Sequence, residues 1–219
     1  MGPIFQDRRE AGRELAELLR KRGDLERPIV LALPRGGVPV AAEIAAVLEA
    51  PLDVILVRKL GLPGQPELAM GAIASGGIRV LNPDLAVIPQ VPGELVRQVT
   101  EREVEELARR ERAYRGDRPR PDLRGRTVIL VDDGLATGSS MLAAVAAVRS
   151  QGPERVLVAV PVAPPETLGR LEREVDEVIC AATPEPFLGV GAWYGSFPQV
   201  SDQEVRELLE NERPPASRA

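Results

Sequence analysis

The stretch VILVDDGLATGSS, residues 128–140, constrains the fold more than any other part of the 219-residue chain. It opens with four branched apolar residues, the short unbroken run typical of a strand buried on both faces of a parallel sheet. Asp132 and Asp133 end this run, and small residues then lead into an alanine-rich segment, residues 141–148, that predicts a helix. The unit of strand, acidic pair, small-residue loop and helix predicts an α/β fold.

The chemistry of this loop favours a sugar phosphate as ligand. Small residues that open a helix leave backbone N–H groups free, and the helix dipole adds positive potential, so the turn suits a phosphate. Two adjacent carboxylates would repel a bare phosphate, and we therefore expect them to meet hydroxyls, a metal ion or a developing positive charge. The nucleotide P-loop pattern is rejected, because the loop has no lysine and no Gly-Lys-Ser/Thr ending.

Residues 131–141, VDDGLATGSSM, closely resemble the phosphoribosyl pyrophosphate (PRPP) signature of the type I phosphoribosyltransferases. The resemblance implies that Asp132 and Asp133 contact the ribose hydroxyls. It also implies that the 5-phosphate is bound by a loop that consists of Ala136, Thr137, Gly138, Ser139 and Ser140. Hypoxanthine and guanine enzymes usually carry an aspartate where this chain has Ala136, whereas adenine-type members often have alanine, so the acceptor base stays open. An ordinary buried strand and turn is the structural alternative.

The strand, loop and helix plan occurs a second time in residues 28–48. A buried strand over 28–33 precedes Pro34-Arg35-Gly36-Gly37, and a helix follows over 38–48. Ligands collect beyond the carboxyl ends of strands in open α/β sheets, where this loop and the Asp132 loop both fall. Arg35 with Gly36 and Gly37 suits a diphosphate, although the same residues are equally typical of a turn that binds no ligand. By resemblance it is the pyrophosphate loop, in which a glycine-containing peptide is often cis.

A third strand over residues 53–57 precedes a stretch rich in glycine and proline, residues 58–67, which predicts a mobile loop. Family members close such a loop over the reaction and use a basic residue near its base to hold pyrophosphate. Arg58 and Lys59 match that role by resemblance. The alternative is that both only solvate a strand end.

The remaining pattern predicts one α/β domain over residues 1–212, with an open, mostly parallel sheet flanked by helices, as in type I phosphoribosyltransferases. Further helices are predicted at 5–22, 93–114, 165–174 and 201–209, further strands at 155–160 and 177–181, and a hairpin at 69–74 and 78–81. The arginine cluster near residues 109–115 predicts a solvated face paired with glutamates, although it could reach an active site or another subunit. Residues 213–219 are expected to be a disordered tail.

Residues 183–200 follow the last predicted strand and concentrate the few aromatic residues of the chain. By resemblance this segment is the family's small C-terminal hood, which binds the nucleobase. Phe187, Trp193 and Tyr194 are the candidates to stack on a ring, and a small satellite core is the alternative.

Composition narrows the class of protein. A net charge of −5 disfavours nucleic acid, and there is no apolar run of membrane length and no secretory signal, so a cytoplasmic protein is expected. The absence of histidine removes the commonest general base and the usual zinc ligands, which leaves Mg²⁺ brought with substrate as the expected metal. The single Cys180 is expected in the core, where it forms no internal disulfide.

The sequence therefore predicts a phosphoribosyltransferase that joins the 5-phosphoribosyl group of PRPP to a nucleobase-like acceptor, as in nucleotide salvage. Arg35 and Lys59 would stabilise the departing pyrophosphate, and a homodimer is expected by resemblance alone. One alternative is a non-enzymatic PRPP-sensing regulator. Another is a sugar-phosphate hydrolase with Asp132 or Asp133 as nucleophile.

Overall fold

The computed structural model describes residues 2–62, 65–81, 93–116 and 118–211. Helices and strands alternate along most of this length. In chain order the elements are α1 (Arg8–Arg20), β1 (Ile29–Ala32), α2 (Gly37–Leu48), β2 (Leu52–Val54), β3 (Val57–Leu62), β4 (Gln65–Ala74), β5 (Ile78–Leu81), α3 (Gly93–Arg115), β6 (Thr127–Val131), α4 (Ser139–Arg149), β7 (Arg155–Val162), α5 (Pro165–Leu171), β8 (Glu177–Ala182) and α6 (Asp202–Asn211). A short 3-10 helix, Val190–Trp193, lies between β8 and α6.

The five strands of the main sheet lie in the order β2-β1-β6-β7-β8, and every neighbouring pair is parallel. β6 is the central strand, and all five of its residues are buried. A strand without a solvent face requires an unbroken apolar sequence, which residues 128–131 supply. The predicted open sheet is confirmed.

Helices cover both faces of this sheet. Ile129 and Val131 lie in one core cluster with residues of α1, α2 and α6, whereas Val128 and Leu130 lie in another with residues of α4 and α5. Successive side chains of a strand point to opposite faces, so β6 contributes to both clusters. None of the described helices combines the length and apolarity needed to span a lipid bilayer.

A separate antiparallel sheet contains β3, β4 and β5. The predicted hairpin is present as β4 and β5. The loop prediction for residues 58–67 was wrong for the part the structure describes, because residues 58–62 belong to β3 and residues 65–67 to β4. Glycine and proline made the segment look irregular, but Leu60 and Ile73 are fully buried in the first core cluster and anchor the two strands.

The strand predicted over residues 53–57 is divided between the two sheets. β2 ends at Val54 in the parallel sheet, and β3 begins at Val57 in the antiparallel sheet. The buried side chains of Ile55 and Leu56 fill the junction. An apolar run alone cannot reveal such a change of sheet.

The N-terminal segment contacts the predicted hood, and the last described helix has a side-chain cap at its start. Backbone N–H groups of Ile4 and Phe5 donate to the Trp193 carbonyl at 2.9 and 3.0 Å, so the N-terminal segment pairs with the predicted hood. At the other end, the Glu204 N–H donates to Ser201 Oγ at 3.1 Å, which confirms Ser201 as the cap of α6. The predicted disordered tail, residues 213–219, lies outside the described residues.

Candidate active site

The site lies where the direction of the sheet connections reverses. From β1 the chain continues to β2 on one side, and from β6 it continues to β7 and β8 on the other, so the loops after β1 and β6 face each other. Such a switch point is the usual ligand position in open α/β sheets. The sequence correctly predicted that both loops share this edge.

Two glycines allow the loops to touch. A Cβ atom on Gly36 would lie 2.0 Å from Asp133 Oδ2, and one on Gly37 would lie 2.7 Å from the Val131 carbonyl oxygen. Any larger residue would push the loops apart. The cis peptide bond in this region joins Pro34 and Arg35 rather than a glycine-containing pair.

The small-residue loop after β6 presents free donors. Within the described structure, no backbone N–H of residues 136–140 donates a hydrogen bond. Gly138 has φ +70, a left-handed conformation that favours glycine, and α4 begins at the next residue. The Thr137 and Ser139 hydroxyls lie 3.1 Å apart, and the Thr167 hydroxyl donates to the Ala136 carbonyl at 2.6 Å, which fixes the loop from behind. This arrangement suits a phosphate.

The two carboxylates of the acidic pair have different surroundings. Asp132 lines the cavity in front of the loop, whereas the Asp133 carboxylate accepts from Arg8 Nε at 2.8 Å. The Asp133 backbone N–H donates to Asp132 Oδ1 at 2.9 Å. Burial raises the pKa of Asp132 well above its ordinary value, and the charge of Asp133 adds to the shift. Burial also raises the pKa of Asp133, with Arg8 opposing the rise.

The cavity has a volume of about 330 Å³ and a strongly basic lining. Four arginines line it: Arg35, Arg58, Arg109 and Arg110. Asp202 also lines it and accepts from the Tyr114 hydroxyl at 2.7 Å, and Arg35 NH1 lies 3.5 Å from the same oxygen. Burial and the bond to Asp202 raise the pKa of Tyr114 to about 12, so the phenol stays protonated. The lining suits a ligand with several negative charges.

The arginine cluster of α3 has the predicted glutamate partners and also reaches the site. Arg109 and Arg110 both hydrogen-bond to Glu106, and these bonds lower the pKa of Glu106 to about 2. Both arginines nevertheless line the cavity. The prediction of a solvated face is wrong for Arg115, because this residue is buried and donates to both carboxylate oxygens of Asp53 at 3.1 Å.

Arg58 and Lys59, the predicted pyrophosphate residues, both belong to β3. Arg58 lines the cavity and pairs with Glu103 of α3. The side chain of Lys59 lies outside the described part of the chain.

The aromatic residues of the hood form the satellite core that was the alternative to a stacking surface. Trp193 is 3% exposed and Tyr194 is 6% exposed, and both pack with Phe5 and Val162. The assignment of these two rings as stacking surfaces is therefore corrected, since neither presents a free face. Phe187 is half-buried, with its ring centroid 6.4 Å from that of Trp193. Tyr194 instead holds the acidic loop, because its hydroxyl donates to the Asp133 carbonyl at 2.6 Å.

Three residues of the site were missed by sequence reasoning: Arg8, Tyr114 and Asp202. The sequence pattern predicts Tyr114 only as the end of a helix and Asp202 only as part of a helix start. Arg8 meets Asp133 across 125 residues, a separation at which a single sequence carries no pairing signal. Cys180 is half-buried in β8, and burial raises the pKa of its thiol, which is unfavourable for a nucleophile.

Fold and site together define an α/β protein with a phosphate-binding turn, an acidic pair and a basic cavity at one edge of a parallel sheet. The sequence profile of the phosphoribosyl transferase domain matches residues 5–187. The chain belongs to the phosphoribosyl transferase family, as its PRPP-like signature predicted.

Two relatives are similar to this chain over most of its length. A Mycobacterium tuberculosis protein, known from strains CDC 1551 and H37Rv and provisionally named a phosphoribosyl transferase, is 45% identical over 207 residues. The match covers 94% of this chain but 46% of the relative, so the chain spans about half the length of the curated relatives it matches. The crystal structure of TT1426 from Thermus thermophilus is 46% identical, covers 98% of this chain and 100% of its own, and superposes with a TM-score of 0.85.

Proposed function

We propose that this protein transfers the 5-phosphoribosyl group of PRPP to a nitrogenous base and releases pyrophosphate. The observation that carries the proposal is the set of residues that line one cavity. Asp132 and Ser140, which flank the small-residue loop, line it together with Arg35 and Arg58, and within the described structure no backbone N–H of residues 136–140 donates a hydrogen bond. PRPP carries a 5-phosphate, two ribose hydroxyls and a diphosphate, and this arrangement provides a complementary group for each.

The residues act by charge and position. Loop 136–140 would bind the 5-phosphate, and Asp132 would accept from the ribose hydroxyls. Its negative charge would also favour the positive charge that develops on the anomeric carbon as the bond to the leaving group breaks. Arg35, Arg58 and Lys59 would stabilise the departing diphosphate. No covalent enzyme intermediate is needed, so the lack of histidine does not prevent the reaction.

The donor set fits a Mg²⁺ ion that arrives with the diphosphate. The described residues contain no group of three or more metal-ligating side chains, and Mg²⁺ commonly binds through one or two carboxylates plus substrate phosphates. Two carboxylates line the cavity, those of Asp132 and Asp202, and Asp132, with Ser140 on the same cavity, would hold the ion. When bound, the ion would neutralise part of the diphosphate charge.

The acceptor is proposed only as a base-like ring, as in nucleotide salvage. Phe187 is the one of the three candidate aromatics with part of its surface exposed, and it remains the proposed stacking residue. Membership of the family further suggests a cytoplasmic homodimer, and sedimentation of the purified protein would test the dimer. The net charge of −5 disfavours nucleic acid as a partner.

Pyrophosphate release from Mg²⁺–PRPP, measured with a panel of nucleobases and related rings, tests the proposal. We expect base-dependent release by the wild type and a loss of roughly 100-fold or more in Asp132→Asn, as for other groups that stabilise transition-state charge. Asp122→Asn is the matched control, because this carboxylate is 80% exposed and pairs with the equally exposed Arg124 at the surface. It should leave the rate unchanged.

Other outcomes identify the alternatives. PRPP binding without turnover for any acceptor would favour a non-enzymatic regulator. Phosphate release without a base would favour a hydrolase. Failure to bind PRPP would refute the assignment of the site.

A further inference from the structure

Arg8 connects three parts of the molecule that are remote in sequence. Its Nε donates to Asp133 Oδ2 at 2.8 Å, its NH1 donates to the Pro198 carbonyl at 2.7 Å, and its guanidinium carbon lies 3.7 Å from the centroid of the Phe197 ring. The residue is 8% exposed, which is rare for an arginine that merely solvates a helix start. One side chain therefore joins α1, the acidic loop and the end of the hood.

This contact makes the two members of the acidic pair unequal. Asp132 borders the cavity, whereas Asp133 does not line it. Asp133 instead has Arg8 as a partner for its charge, and the Gly36 backbone lies against the same carboxylate. The Tyr194 hydroxyl holds its carbonyl group. A carboxylate enclosed in this way has little room to meet a sugar hydroxyl.

A second series of contacts leads from Asp133 to the cavity. The backbone N–H of Asp133 donates to Asp132 Oδ1, so the position of the Asp133 residue orients the carboxylate that faces the ligand. Arg8 is fixed in turn by the hood through Phe197 and Pro198. The hood and the ribose-binding carboxylate are thus connected through Arg8 and Asp133.

We propose that Arg8 is a positioning residue for PRPP binding, and that Asp132 alone of the acidic pair meets the ribose hydroxyls. Arg8 neutralises Asp133 and fixes it, which leaves one negative charge beside a ligand that itself carries several. Two unpaired carboxylates at this point would repel the phosphates of PRPP. This inference rests on the proposed function, because it assumes PRPP as the ligand.

The affinity for Mg²⁺–PRPP, measured by titration calorimetry without any acceptor, tests the inference. Arg8→Gln should weaken binding by roughly 10- to 100-fold, the effect seen when a residue that orients a metal ligand is lost. The double variant Arg8→Gln, Asp133→Asn replaces the ion pair with two neutral amides and should recover most of that loss. Asp132→Asn should bind most weakly of all. Arg8→Lys, which keeps the charge without the fork, should bind more tightly than Arg8→Gln.

Arg9→Gln is the control, because Arg9 is the adjacent arginine of α1 and its side chain is 50% exposed in a surface pair with Glu43. It should bind PRPP like the wild type. Thermal denaturation of each variant separates misfolding from lost affinity. If Arg8→Gln fails to fold, the double variant carries the comparison, because it leaves no unpaired buried charge.

Two results would overturn the inference while the proposed function stands. If the double variant binds as weakly as Asp132→Asn, Asp133 is itself a ligand contact. If Arg8→Gln and the double variant lose affinity equally, Arg8 contributes packing and not neutralisation. A wild-type protein that does not bind PRPP would reject the proposed function first, and that result needs no variant.

Discussion

Replacing Gly37 with alanine should destabilise the protein by forcing apart the two loops of the site. Gly37 is the first residue of α2, and a Cβ atom there would lie 2.7 Å from the Val131 carbonyl oxygen and 2.9 Å from Asp132 Cα. Both obstacles are backbone atoms at the end of the central strand, so neither can rotate away. Ordinary heavy-atom contacts lie near 3.5 to 4.0 Å, and the loop must therefore withdraw by roughly 0.6 Å or more.

The cost follows from overpacking a close contact, which is typically about 1 to 3 kcal/mol. A domain of this size loses roughly 2 to 4 °C in Tm for each kcal/mol, so Gly37→Ala should lower the Tm by roughly 2 to 12 °C. The displaced loop also carries Arg35, and we expect weaker pyrophosphate binding in the same variant.

Gly169→Ala is the matched control for this experiment. Gly169 lies in α5, and apart from its chain neighbours and the backbone of its own helix no heavy atom lies within 4 Å of the position its Cβ would take. Alanine is favoured over glycine in a helix by about 0.5 to 1 kcal/mol, so this variant should melt slightly higher than the wild type. Differential scanning calorimetry measures both effects. Equal shifts in the two variants, or a higher Tm in Gly37→Ala, would refute the argument that the loops are in steric contact.

Two further predictions concern buried charges. Asp132→Asn should raise the unfolding free energy at neutral pH while weakening PRPP binding, because burial and the charge of Asp133 raise the pKa of Asp132 and make its ionised form unfavourable. The free-energy cost of ionised Asp132 in the folded state shrinks as the pH falls below its raised folded-state pKa. The stability gain of Asp132→Asn, measured by denaturant unfolding, should therefore shrink on acidification and vanish near the unfolded pKa of about 3.9. A stability gain that grows on acidification would contradict this prediction. Arg115→Met should destabilise the fold by about 3 to 5 kcal/mol in the same assay, because it removes the partner of the Asp53 carboxylate, which is 13% exposed, and of the buried Glu111. Arg124→Met, at a side chain 83% exposed, should change little, and equal effects would show that the buried pair is not stabilising.

The fold was predictable where the pattern of apolar residues along the sequence indicates a helix or a strand. The unbroken apolar run of β6 specified a central strand, and the helices α1, α2 and α4 followed from spacing and composition within a few residues. The antiparallel sheet was predicted less well. β3 contains glycine and ends close to proline, and its pairing with β4 is stabilised by the burial of Leu60, which only the folded chain reveals.

The site also has parts that the sequence predicted and parts that it did not. The acidic pair, the small-residue loop and the Arg35 loop each follow directly after a strand, so sheet geometry alone placed them together. The inequality of Asp132 and Asp133 could not be predicted, because it depends on Arg8, more than half the chain away. For the hood aromatics, the sequence showed the cluster but not the direction in which the rings face. Their clustering in sequence was evident, but whether Trp193 faces a ligand or the N-terminal segment is decided by the pairing of Phe5 with Tyr194.

The contacts of Arg8 also set the time at which the site can assemble during biosynthesis. Arg8 is synthesised 190 residues before its carbonyl partner Pro198. At about 5 to 20 residues per second, that interval is roughly 10 to 40 s. Until the hood emerges, the central strand and its acidic pair exist without the full set of contacts that hold Arg8 in place. Translation must therefore proceed almost to the end of the described chain before the nascent protein can form a complete site.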